Sequence, residues 1–290
     1  MSDSVWYLRA GFGLGLIFVA VSELLFYPVS FKADFAVVAI AYIFFAIWAV
    51  AILAPHSGGF FGFFAIACVI GFFAEGIVVA TIYEAPPLTI IWTPVAWHAV
   101  ISGVLMVWAM RLTLGFGSTV ILAGLIGAYI GLWGGYFWPL EASHSTPYWQ
   151  QALLAWILIG AGHRLLPHDP SPKILPKVVI VVASVPIAFC FVAIAVLPYG
   201  LISVLMPLCL LCAWLVSRAG QPELLFWGRE INWTSLIVCA VISVAMYSVS
   251  EGHPILNEFN VLTLVVFGSL GLCLIAAGCF QAIRRRRLLT

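Results

Sequence analysis

Charge is what this chain has least of. Only 8% of its 290 residues are Asp, Glu, Lys or Arg, against 64% apolar, where an ordinary soluble domain carries about 25% charged residues. Water cannot solvate such a surface, so most of it faces lipid. Long polar stretches are missing too, which leaves no room for an appended soluble catalytic domain, zinc ribbon or nucleotide-binding module. Enzyme signatures are absent: there is no His-x-x-His or Glu-x-x-x-His helix motif, no Gly-x-Ser-x-Gly elbow and no phosphate loop. The seven cysteines (Cys68, Cys190, Cys209, Cys212, Cys239, Cys273 and Cys279) all fall inside apolar runs. Cys209-Leu-Leu-Cys212 has redox or metal spacing, but its setting of Leu, Met and Val reads as hydrophobic filler. No disulfide framework is visible.

What is present is apolar sequence in lengths that suit a bilayer, which takes ~20 residues per crossing. Pro, Gly and charge clusters divide it into ten candidate spans, at about 6–27, 34–55, 59–84, 88–110, 117–139, 149–166, 176–198, 200–217, 232–250 and 259–282. The first is read as a helix rather than a signal peptide, because Glu23 interrupts its far end and no small-x-small site follows. Ten spans put both termini on one side. That side then holds Arg9, Arg111, Arg164, Lys173, Lys177, Arg218, Arg229 and Arg284 to Arg287, and the other holds Lys32 alone. Eleven against one is a strong positive-inside signal, so both ends are expected in the cytoplasm and the protein in the cell (inner) membrane. The four-arginine tail reads as a headgroup anchor; no nucleic-acid partner is expected.

Sliding the sequence by 141 residues places Trp92-Thr93 on Trp233-Thr234, and Ala99-Val100-Ile101-Ser102 on Ala240-Val241-Ile242-Ser243. The same shift places Gly59 on Gly200, Cys68 on Cys209 and Gly127 on Gly268. Helices one to five thus map in order onto six to ten. Five is odd, so the second copy enters the membrane inverted, as in many secondary transporters. The expected fold is an all-α polytopic membrane protein with about ten transmembrane helices in two inverted five-helix repeats, residues 1–140 and 141–290, the second ending in a short basic tail. Helix count, size and repeat resemble the architecture of the drug/metabolite transporter superfamily. No motif of that superfamily is matched, so no residue role carries over.

Ionisable groups well inside a bilayer cost roughly 2.5–3.5 kcal/mol on insertion scales and mark cavities or partners. Glu23, Glu75 and His98 stand out, with Glu84 at the outer end of its helix a weaker case. Glu75 lies in Gly71-Phe-Phe-Ala-Glu75-Gly76, with Thr81 and Tyr83 within reach of the same cavity. His98 follows Trp92-Thr93-Pro94-Val95-Ala96-Trp97, where Pro94 frees a backbone carbonyl. Glu23, Glu75, Tyr83, Glu84, Trp92, Trp97 and His98 are therefore the candidates for substrate or proton binding. The plainer alternative for Glu75 and His98 is polar groups satisfied by a neighbouring helix. Glu141, His144 and His253, in outer loops, are candidate divalent-metal ligands, though their spacing fits no zinc motif and solvated loop polarity explains them as well. Gly127, Gly131 and Gly135 form a small-xxx-small ridge that suits helix packing or a homodimer face.

The expected function is secondary transport of a small molecule, coupled to protons through an intramembrane carboxylate and needing no bound cofactor. The alternatives are an intramembrane enzyme acting on a lipid or isoprenoid through a Glu/His site toward the outer face, and a non-catalytic subunit of a membrane complex.

Overall fold

The computed structural model describes residues 2–26, 33–56, 59–112, 114–137, 147–168, 176–181, 205–219, 230–251 and 259–289, with single positions at 184 and 188. Among these, every regular element is helical. We number the main helices α1 (Asp3–Leu24), α2 (Ala33–Leu53), α3 (Gly59–Val78), α4 (Leu88–Arg111), α5 (Phe116–Phe137), α6 (Tyr148–Leu165), α7 (Leu205–Ser217), α8 (Trp233–Ser250) and α9, which is built from Phe259–Thr263, Leu264–Gly268 and Ser269–Leu289.

Seven of them, α1 to α5, α8 and α9, are long and apolar enough to cross a bilayer. Two expected spans fall short of that description. α6 has 18 residues but contains Gln150, Gln151, His163 and Arg164, and α7 has 13 residues. The span expected at 176–198 lies largely outside the described residues.

The helices sort into inner and outer ones. In α3, 78% of the apolar window is buried inside the protein, against 33% in α8 and 22% in α9. Side chains such as Ile121, Leu125, Ile157, Ile237 and Val265 are exposed, and an exposed apolar face this extensive is a lipid-facing one. The core is built where α1, α3 and α4 meet, around Phe18, Phe64, Phe73, Ile101 and Met106.

Close approaches fix the sense of each pair. Gly11 meets Ile47 and Gly15 meets Ile43, so α1 and α2 run antiparallel. Gly13 and Gly162 each face the other's carbonyl, and α1 and α6 are antiparallel as well. Gly71 lies against Pro94 and His98, and Gly103 against Ala67, which makes α3 and α4 antiparallel. In the same way α7 opposes α3, with Gly76 at Met206 and both Phe61 and Val216 at Gly278. Two pairs are parallel: α5 with α8, and α4 with α9, where Gly268 meets Ile91 and Gly271 meets Val95.

The glycine ridge of α5 is used inside the chain. Gly127 abuts the backbone of Cys239, Gly131 that of Ser243, and Gly135 the side chain of Ser250, leaving no room for a Cβ at any of the three. The ridge is buried against α8 within the chain.

Four of the described stretches wind in the wider π register. Ala20–Leu24, Ala74–Val78 and Leu264–Gly268 are π-turns, and α4 keeps the wider register from Ile91 to Trp108. Pro94 lies within α4 and has no N–H to give. In an i→i+5 ladder it would have been the donor to the Thr89 carbonyl. The Thr93 hydroxyl takes that carbonyl instead, at 2.9 Å.

Candidate functional site

The polar groups that apolar helices can least afford converge where α1, α3 and α4 meet. His98 Nε2 lies 2.8 Å from Glu75 Oε1, with the imidazole 1% and the carboxylate 12% exposed. On the other edge of the ring, His98 Nδ1 lies 3.0 Å from Ser22 Oγ, which lies 3.1 Å from Ser102 Oγ. Ser102 donates to the Trp97 carbonyl at 3.3 Å. Glu75 Oε2 accepts from Thr81 in a short contact, so both carboxyl oxygens are engaged.

Backbone departures bring these groups together. Ser22 and Glu23 sit on the π-turn of α1, Glu75 on that of α3, and His98 and Ser102 on the π-wound part of α4. Single π-turns inside helices are frequent at functional sites. After α3 the chain reverses through Ala80, held at φ 65° in the left-handed region, where a residue with a Cβ is uncommon. The short 3-10 turn Thr81–Tyr83 follows and carries Thr81 back onto Glu75. Gly71 permits the approach of α4, since a Cβ there would lie 2.7 Å from both His98 Cβ and the Pro94 carbonyl.

One set of proton positions satisfies these contacts. It places the Ser102 proton on the Trp97 carbonyl and the Ser22 proton between the two serines. With Ser22 so placed, His98 Nδ1 donates to it. This tautomer is assigned from the network, as it must be where hydrogens are not seen. It leaves His98 Nε2 and Glu75 Oε1 sharing one proton, as imidazolium and carboxylate or as imidazole and carboxylic acid. The geometry is that of a proton-holding pair.

The contacts also form a Ser–His–Glu line, which in a hydrolase would activate the serine. Here Ser22 is 1% exposed and bonded to Ser102. No attacking oxygen is presented to a substrate. The most exposed member of the line is the carboxylate.

Glu23 joins the neighbourhood without joining the line. It accepts from Tyr42 at 2.8 Å and lies within electrostatic reach of His98 and Glu75. Tyr42 also packs near the imidazole, with ring centroids 5.9 Å apart. Gln151 on α6, fully buried, donates to the Leu24 carbonyl at 3.0 Å, and so holds the end of the turn that bears Ser22 and Glu23.

Of the residues singled out in the sequence, Glu23, Glu75 and His98 come together. Trp92 and Trp97 form an aromatic wall with Trp133 and Phe26, with Trp97 and Trp133 centroids 4.7 Å apart. Tyr83 is buried in the turn beside Thr81, and Glu84 is exposed just after it. Ser22, Tyr42, Ser102 and Gln151 carried no signal of their own, being polar residues of kinds common in membrane helices. The metal candidates Glu141, His144 and His253 lie outside the described residues, and among the described residues no group of three or more His, Cys, Asp or Glu is placed to hold a metal ion.

A second polar junction lies at the far end of α6. Arg111, 2% exposed, donates through its terminal nitrogen to the His163 carbonyl at 2.9 Å and through Nε to His163 Nδ1 at 3.3 Å. His163 Nε2 meets the Met106 carbonyl at 3.0 Å. Arg9 donates to the Leu165 carbonyl at 3.2 Å. Two arginines from α1 and α4 thus cap the carbonyl end of α6, where orphan acceptors and the helix dipole favour cations. No family model, no curated protein and no solved structure matches this chain.

Proposed function

We propose that this protein is a secondary transporter for a small molecule, coupled to protons through the Glu75–His98 pair. The observation that carries the reading is a carboxyl and an imidazole 2.8 Å apart at the junction of three inner helices. Intramembrane ionisable residues of this kind mark proton and substrate paths. The Arg9 and Arg111 caps hold the opposite end of the α1–α4–α6 contact together, which supports a site closed toward the arginine-rich side.

The packing pattern supports the inverted repeat. Under the 141-residue shift α1 corresponds to α6, α3 to α7, α4 to α8 and α5 to α9. The pairs α1·α6 and α3·α7 then map onto themselves, and α5·α8 exchanges with α4·α9. α6 and α7 run in the same sense, as spans six and eight of ten would. The α3·α4 contact has no counterpart of similar extent between α7 and α8; two copies of one fold are what give a transporter its two similar minima.

The test needs no substrate. In a protein otherwise free of cysteine, single cysteines replace Thr93, on the Glu75 side of the pair, and Ser102, on its other side. An impermeant thiol reagent is applied from each face of the membrane as pH is varied. Reactivities that shift in opposition, one rising as the other falls, are the expected result. Labelling from one face only, unmoved by pH, overturns transport and favours the intramembrane enzyme.

A further inference from the structure

α6 and α8 are antiparallel partners, joined midway by Trp156 Nε1 donating to Ser243 Oγ at 3.1 Å. At the end remote from Arg164 they enclose a pocket of about 250 Å³ lined by Tyr148, Trp149, Tyr247, Ser248 and Glu251, among others. Tyr148 and Tyr247 are stacked there with centroids 3.7 Å apart and planes 8° from parallel. Face-to-face stacking brings two negative ring faces together, an arrangement aromatic pairs otherwise avoid. Tyr247 in turn donates to Glu251 Oε1 at 2.9 Å, which adds a carboxylate to an already electron-rich cluster. Trp149, 56% exposed, supplies a third aromatic side chain at the mouth.

Everything that lines this pocket is aromatic, neutral or acidic. Glu251 is exposed, and no described Lys, Arg or His pairs with it. A carboxylate beside stacked rings, with no cation from the described residues, is the chemistry of an ammonium receptor. The pocket falls below the roughly 300–1,000 Å³ of sites for drug-sized ligands, so it suits a small head group.

We propose that this pocket binds a quaternary or alkylated ammonium group, with Glu251 as counter-ion and Trp149 and Tyr247 as the aromatic walls. The group belongs to a free organic cation or to the choline head of a bilayer lipid, and the two share one chemistry. The site is separate from the Glu75–His98 pair, and its failure would leave the transport reading untouched.

The experiment is a calorimetric titration of the purified full chain, in phosphatidylglycerol nanodiscs, with tetramethylammonium chloride against sodium chloride of equal strength. Saturable binding of tetramethylammonium but not sodium is expected, weakened at least tenfold by Glu251→Gln and by Trp149→Leu. Both side chains are exposed, so both variants should fold, and unchanged thermal unfolding checks this. Absence of saturable binding, or equal binding by both variants and the unaltered protein, overturns the proposal. In phosphatidylcholine nanodiscs, a fall in apparent affinity identifies the lipid head as the occupant. Equal affinity in the two membranes identifies a free cation.

Discussion

A buried imidazole that donates on one side and shares a proton on the other behaves differently from an isolated carboxyl in the same place. Replacing Glu75 by Gln removes the partner with which His98 shares its proton while keeping the shape and the contact to Thr81. The expected outcome is a protein that inserts normally but whose two-sided thiol labelling no longer responds to pH. Retained pH response in that variant would take Glu75 out of the mechanism. Ser22 offers a finer test. Ser22→Ala leaves the Nδ1–H of His98 without its acceptor, a loss of about 1–3 kcal/mol for a buried donor, whereas Ser22→Thr keeps the hydroxyl. Altered pH response in the first and near-normal response in the second are expected from the same labelling assay. Glu75 and His98 were legible in the sequence because ionisable groups interrupt apolar runs. Ser22 and Ser102 were not, because nothing in a hydrophobic helix says which of its serines turns inward.

At the level of helices, the caps on α6 and the ridge on α5 make separate claims. Arg111→Ala leaves the His163 carbonyl and ring nitrogen without their donor. A hydrogen bond to a charged group contributes about 1.5–3 kcal/mol, and a loss of that order should appear as earlier thermal unfolding in detergent. Gly131→Leu forces a side chain against the Ser243 carbonyl, and overpacking of this kind costs typically 1–3 kcal/mol; the same assay reads it. The ridge could be read from the spacing of Gly127, Gly131 and Gly135, but its partner could not. α8 is more than a hundred residues away, and its contribution is backbone at Cys239 and Ser243, which no pattern announces. Helix winding was illegible for a related reason. Hydrophobic periodicity locates a helix but does not separate i→i+4 from i→i+5 ladders when most positions are apolar. Only Pro94 hinted that α4 departs from regular winding.

Across the whole molecule, α1 and α6 are tied at both ends, by Arg9 on the Leu165 carbonyl and by Gln151 on the Leu24 carbonyl. The proposed alternating access requires one of these ties to loosen at a time. A disulfide between cysteines placed at positions 9 and 165 should therefore abolish labelling of a cysteine at 102 from the arginine-rich face, with recovery on reduction. Labelling that persists through the cross-link would mean that α1 and α6 do not form the gate. The ten-span reading came from apolar stretches set off by Pro, Gly and charge clusters, and among the described residues seven helices meet the length and apolarity of a span. The difference lies in α6, whose polar residues serve the bundle interior, in the 13 residues of α7, and in a stretch outside the described residues.

The shared proton also has an electrical meaning. Carboxylate with imidazolium and carboxylic acid with imidazole both sum to zero, so the Glu75–His98 pair is neutral wherever its one proton rests. Gaining or losing a proton gives the pair a unit charge, and the membrane potential acts on that charge with about 2.3 kcal/mol per 100 mV for a full crossing of the field. Under the proposed transport, a step taken with the pair holding its single proton needs no electrical work, whereas any step taken with one proton more or fewer is driven or opposed by voltage.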